Sequence, residues 1–300
     1  MNLFFSQPLF MEYFIDAFER LAADGIDFVE LRTTFDKIVG LDGQTLSKDD
    51  MVDLFRQILA RIRLKYPNFN LKLIISDLRN ESIDEGYTLL EEAYRLRAKN
   101  KDMVVGYDLV GFETLGYRTL YYLDNWMAAA LEFEKKYQVT LPYYFHDGES
   151  NWGNDDNLYD AILLETKRIG HAFNLFFFPG LQQQVKNQKI CLEICPISNQ
   201  MLGYVRDLRL HPAIGYMKQG IPCVLSSDDP LIFGTSGLSY DLWEGIMAWQ
   251  LGVADIKQLL MNSILYSTLD EQEKEEALSR WNEAWNLYIR ETVIKLANSL

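Results

Sequence analysis

Carboxylates and imidazoles recur at the ends of short apolar runs in this 300-residue chain: Asp108 and Glu113, His146 and Glu149, His171, then Asp228 beside Asp229. These are the side chains that ligate divalent metals and move protons near neutral pH. His146 closes the run LPYYFH, and Glu149 follows it in HDGE, where Gly148 permits a turn that other residues resist. A histidine ligand with a carboxylate just past that turn suits metal binding with proton transfer beside it. A strand-end histidine that only hydrogen-bonds would look the same. His171, after Gly170 in RIGHAF, carries the same two readings. Asp228 and Asp229 close an apolar run before Pro230, which ends any ladder. Adjacent strand residues point to opposite faces. Either one aspartate caps a helix while the other meets solvent, or one binds metal and the other substrate. His211 precedes a proline at a predicted helix start and is assigned a capping or surface role.

The elements that must position these groups alternate in type. Seven β-branched or apolar runs are predicted as strands, at 26–32, 71–76, 103–109, 141–146, 168–173, 190–195 and 221–227. Amphipathic helical stretches separate them, which is the pattern of βα units around a parallel sheet. Residues 8–24 place Leu9, Phe10, Tyr13, Phe14, Ala17, Phe18 and Leu21 on one helix face that stops at Gly25. Ser47 is predicted to cap the next helix, which ends before Pro67. Helical stretches near 239–251 and 255–266 precede a long charged one from about 270 to 298, and no linker or repeat interrupts the chain. The expectation is one α/β domain over 1–300, a (β/α)8 TIM barrel lacking its first strand. Two unpaired strand edges follow from that, beside 26–32 and beside 221–227.

Composition removes several functional classes. Lys and Arg number 29 against 43 Asp and Glu, and a net charge of -14 repels nucleic acid and anionic membrane surfaces alike. No apolar run has the length of a bilayer span, and the first residues lack a basic export signal with a cleavage site. Cys191, Cys195 and Cys223 lie in apolar runs and read as buried thiols. Their spacing does not suit a P-C-x-x-C zinc site.

Taken in order, VVGYDLVGFE, FHDGESNW, RIGHAF, LEICPISNQML and HPAIGYMKQGIPCVLSSDDPLIFGTSGLSYDLW resemble successive signatures of the adenosine deaminase family, from about residue 8 to 295. The FHDGE spacer with Trp152, the CPISNQ tract and the GLSYDLW ending are most similar to the adenosine deaminase-related growth factors, a secreted subgroup. The resemblance implies a barrel of the metal-dependent hydrolase type that deaminates adenosine and 2′-deoxyadenosine to inosine products and ammonia. It implies one Zn2+ held by His146 and Asp228, with Glu149 carrying a proton to purine N1 and His171 orienting and helping to deprotonate the attacking water. Asp229 would face purine N7, the Gly111 backbone N–H purine N3, and Glu113 and Trp152 the ribose. By the same resemblance the full-length protein would be extracellular and homodimeric.

The chain departs from the family in lacking an H-x-H pair, which would supply two further zinc ligands from a first strand. One absent N-terminal segment would explain both that and the strand count, so an N-terminally truncated chain is expected, binding zinc weakly and turning over little. A catalytically inactive nucleoside-binding or growth-factor-like member is the alternative. A third reading is another metal-dependent hydrolase on a barrel, against which stands the purine-contact tract DLVGFE.

Overall fold

The apolar runs form seven strands in the computed structural model, which describes residues 6–35, 37–153 and 155–298, apart from the side chains of 123–125. They are β1 (Phe28–Thr33), β2 (Asn70–Leu78), β3 (Val104–Val110), β4 (His146–Asp147), β5 (Arg168–His171), β6 (Cys191–Ile194) and β7 (Cys223–Leu225). Every ladder is parallel and in chain order, β1-β2-β3 and β4-β5-β6-β7. A single parallel bridge, Tyr107 to Tyr143, joins the two groups. Among the described residues β1 and β7 each pair on one side only. This is the (β/α)8 type of architecture, with seven of its strands among the described residues.

Parallel neighbours need crossovers, and helices provide them. The first unit of the chain, Met1–Gln250, contains α1 (Gln7–Ala23), α2 (Lys48–Arg63), α3 (Ile83–Lys99), α4 (Thr119–Tyr137) and α5 (Asn157–Leu163). It continues with α6 (Pro179–Gln188), α7 (Pro196–Met201), α8 (Ala213–Gln219) and α9 (Ser239–Trp249). The second unit, Leu251–Leu300, holds α10 (Val253–Leu265) packed on α11 (Glu271–Ala297), whose start is closed by an Asp270–Glu273 capping box.

The local rules account for these elements. Phe10, Phe14 and Phe18 recur on one face of α1, and Phe10 and Phe14 meet Phe55 of α2 with ring centroids 5.3 and 5.0 Å apart. Leu9 misses that face and is exposed. The Ser47 hydroxyl accepts from the Asp50 N–H at 3.2 Å, and Asp50 returns the bond to the Ser47 N–H at 2.9 Å. The three cysteines are buried thiols.

Three of the strands that come out shorter than expected have a local reason. Of the run 141–146 only His146 lies in the two-residue β4, and Pro142 has no N–H to give to a ladder. Its carbonyl still accepts from the Tyr107 N–H at 2.9 Å, and the segment stays extended between β3 and β5. β5 stops at His171 because His171 and Ala172 both turn left-handed, at φ 62 and 48°. β7 stops at Leu225, before the left-handed Asp228, at φ 54°.

Charged side chains lie between the two strand groups. Arg32 of β1 donates through Nε to Asp108 of β3 at 2.6 Å and meets Glu193 of β6 through Nη2 at 2.8 Å. Arg168 of β5 binds the other Glu193 oxygen at 2.6 Å and reaches Glu30 of β1. Burial opposes these charges, yet Arg32 and Arg168 outweigh it and hold the Glu193 carboxyl down at about 2.

A second buried pair ties β4 to its surroundings. Asp147 alternates away from His146, is fully buried, and accepts from Arg79 at 2.6 Å and from the Thr119 hydroxyl at 3.1 Å. Arg79 also donates to Thr119 at 2.9 Å and to the His146 carbonyl. Removing one member of such a pair strands the other charge in a dry interior. Asp147→Ala is therefore expected to lower unfolding free energy by about 3–5 kcal/mol in chemical denaturation. The double change Asp147→Ala with Arg79→Met should restore most of that loss, and additive losses would contradict the pairing.

Candidate active site

The C-terminal ends of β4, β5 and β7 deliver the histidines and aspartates to one place. His146, His171 and Asp228 each offer one ligand atom, all within 4.8 Å of one another. The His146 and His171 rings lie 5.1 Å apart. Gly170 permits the approach, since a Cβ there would lie 3.1 Å from the His146 ring. His171 Nε2 is 3.4 Å from Glu149 Oε1 and 3.9 Å from Asp228 Oδ2.

Asp108 fixes the His146 ring. One of its oxygens accepts from the His146 backbone N–H at 2.8 Å, and the other from His146 Nδ1 at 2.6 Å. Burial works against a charged imidazole, but Asp108 outweighs it and holds His146 up at about 9. With Nδ1 committed to a carboxylate, Nε2 is the nitrogen left for a metal. Burial also opposes the Asp228 carboxylate, and His171 and His146 outweigh it, keeping that group below its ordinary value. An imidazole nitrogen with an ionised carboxylate is a donor set that suits zinc.

Glu113 builds the turn that carries Glu149. Expected at the ribose, it is instead buried, and its carboxylate accepts from the N–H of Gly148 at 2.8 Å, of Glu149 at 2.5 Å and from Asn157 Nδ2 at 2.9 Å. Its occupied oxygens leave it supporting the HDGE turn. Gly148 sits in the left-handed region at φ +77°, and a Cβ there would come within 2.6 Å of Asn174 Oδ1. Asn174 closes the following loop, donating to Ser150 Oγ at 3.2 Å and to the Trp152 carbonyl at 3.3 Å. The Trp152 side chain is exposed, Asp229 is exposed beside Asp228, and Gly111 ends β3 at φ +99°.

Two further buried groups stand behind His171. Asn199 Nδ2 lies 3.1 Å from His171 Nδ1, and its Oδ1 lies 3.0 Å from Nε2 of His211. His211 does cap α8, accepting from the Ala213 N–H at 3.1 Å, but it is buried and not at the surface. Nothing in HPAIG pointed to His171, forty residues earlier; Asn199 lay inside CPISNQ as a family signature without an assigned role.

The sequence pattern of the family described as adenosine deaminase matches residues 9–284, across both units of the chain. Adenosine deaminase 2 of Sus scrofa is 39% identical over 291 residues, covering 95% of this chain and 56% of that protein. The chain spans about half the length of the curated relatives it matches. Among solved structures, adenine deaminase from Arthrobacter aurescens superposes with a TM-score of 0.76 at 22% identity, over 93% of this chain and 80% of that one. An amidohydrolase from Burkholderia ambifaria with bound Zn gives 0.76 at 18% identity, over 95% and 74%. At those identities the likeness is one of fold, whereas the sequence match over most of the chain decides the family: this chain belongs to the adenosine deaminase family.

Proposed function

We propose that this chain is the catalytic domain of a zinc-dependent enzyme that hydrolyses adenosine and 2′-deoxyadenosine to inosine products and ammonia. The observation that carries the proposal is the meeting of His146, Glu149, His171 and Asp228 at one end of the strands, in a chain of this family. His146 Nε2 and the Asp228 carboxylate would hold one zinc ion. When bound, zinc would supply Lewis-acid chemistry that activates water as the nucleophile and stabilises negative charge on its oxygen. Glu149, held by Glu113 through its backbone, carries the proton between water and purine N1. His171 orients the attacking oxygen by a hydrogen bond, while the deprotonation in which it was also expected to help is left to Glu149. Asp229 faces N7 of the ring, the Gly111 N–H faces N3, and Trp152 covers the ribose. Glu113 is reassigned from the ribose to the turn because three N–H donors already occupy its carboxylate. An extracellular setting and a homodimer of the full-length protein belong to the same reading through the family resemblance. No helix of the described residues is long and apolar enough to cross a membrane.

The 300 residues include three histidines and no H-x-H pair, so His146 and Asp228 are two protein ligands where a catalytic zinc site ordinarily has three. That count favours, as the second reading, nucleoside binding without turnover by these residues alone. After dialysis against zinc-free buffer, metal analysis is expected to find well under one zinc per chain, with conversion of adenosine to inosine near background. Stoichiometric zinc with ordinary turnover would show that the ligand count is wrong.

Nucleoside recognition can be read without metal. Equilibrium dialysis should show adenosine binding in preference to cytidine, and Asp229→Asn should weaken adenosine by roughly tenfold, about 1.4 kcal/mol. Unchanged affinity in that variant would remove Asp229 from the ring contact.

A further inference from the structure

We propose that Asn199 and His211 are positioning residues that select the tautomer of His171 whose proton is on Nε2, reserving that nitrogen as a hydrogen-bond donor and excluding it as a metal ligand. The chain of reasoning starts at a backbone amide, which can only donate. The Ala213 N–H donates to Nδ1 of His211 at 3.1 Å, so that nitrogen carries a lone pair. A neutral imidazole then has its proton on the other nitrogen, and His211 Nε2 donates to Asn199 Oδ1 at 3.0 Å. This orients the Asn199 amide, whose Nδ2 must donate to Nδ1 of His171 at 3.1 Å. His171 Nδ1 is therefore the acceptor and Nε2 carries the hydrogen. The opposite orientation of Asn199 would require His211 to accept at both ring nitrogens, which a neutral imidazole cannot do.

Burial and backbone geometry support the arrangement. His171, Asn199 and His211 are each at most 1% exposed, so water does not compete for these bonds. Burial presses the His211 imidazole down to about 3, which keeps it uncharged. The His171 backbone is held in a left-handed turn by the Ala172 N–H on the Gly170 carbonyl at 2.8 Å. The Tyr216 hydroxyl closes that turn from beyond, donating toward the carbonyls of Ala172 at 3.3 Å and Phe173 at 3.2 Å. A conformation costly for a residue with a side chain persists only where its surroundings over-determine it, and here it aims Nε2 between Glu149 and Asp228.

The consequence follows from the tautomer. A ligating nitrogen must offer a lone pair, and in His171 that lone pair already accepts from Asn199. Of the three clustered groups, His146 and Asp228 remain as ligands, and His171 presents N–H to an oxygen lying between Glu149 and Asp228. Its use in deamination rests on the function proposed above; the tautomer itself does not.

Long-range 1H–15N correlation spectra of the metal-free, substrate-free protein in mildly alkaline buffer test this directly, since the chain has only three histidines to assign. His171 and His211 are both expected to show the Nε2–H pattern. In Asn199→Leu the two His171 nitrogen signals should move toward each other as the tautomers mix. In His211→Gln, whose amide N–H can still donate to Asn199, the His171 pattern should persist. An Nδ1–H pattern at His171 in the unaltered protein, or an unchanged one in folded Asn199→Leu, would overturn the proposal. If Asn199→Leu does not fold, the unaltered protein and His211→Gln decide it. Because no metal or nucleoside is present, failure here leaves the deaminase reading standing, and a failed deamination assay leaves the tautomer standing.

Discussion

The guanidinium of Arg32 is the point at which fold and site meet. From β1 it reaches Asp108 on β3 and Glu193 on β6, and it also donates to the Tyr144 carbonyl at 3.1 Å, just ahead of β4. One planar group thus touches both strand groups, between which the described residues form a single backbone bridge, Tyr107 to Tyr143. Asp108 is fully buried between Arg32 and His146, and its charge survives there because both partners are in place. Stripping one partner from a buried pair costs far more than the pair contributes, so this network specifies an arrangement more than it adds stability. What it specifies is the direction of the His146 ring.

The surrounding parts of the site repeat that logic with other groups. Glu113 holds the backbone of the HDGE turn, and Arg79 with Thr119 holds Asp147 on the far side of the same strand end. Asn199 and His211 hold His171 from behind. Both active-site imidazoles, His146 and His171, thus have their ring directions set by buried polar partners on other elements, so that they are organised before any ligand enters.

What could be read in the sequence followed from periodicity. β2 and β3 are covered on both faces and so appear as apolar runs, and His146, His171, Asp228 and Asp229 stand out because they end such runs. Capping by Ser47 was legible because both partners lie within one turn. The interior charges were not legible. In DFVELR, Glu30 and Arg32 alternate with apolar residues as a solvent-facing set would, and their partners Arg168 and Asp108 stand far along the chain. Asp147 pairs with Arg79, His211 with Asn199, and Glu113 with the backbone of the HDGE turn, and none of these partners shows in the local pattern. Long-range polar partners leave no periodic trace.

As proposed, zinc would bind through a single imidazole, that of His146, the second histidine being kept out by the proton its neighbours place on it. Zinc K-edge X-ray absorption, recorded with protein in excess over zinc, counts imidazole ligands directly. One imidazole in the shell, lost in His146→Ala and kept in His171→Ala, is the result expected. Two imidazoles, falling to one when His171 is replaced, would contradict the account.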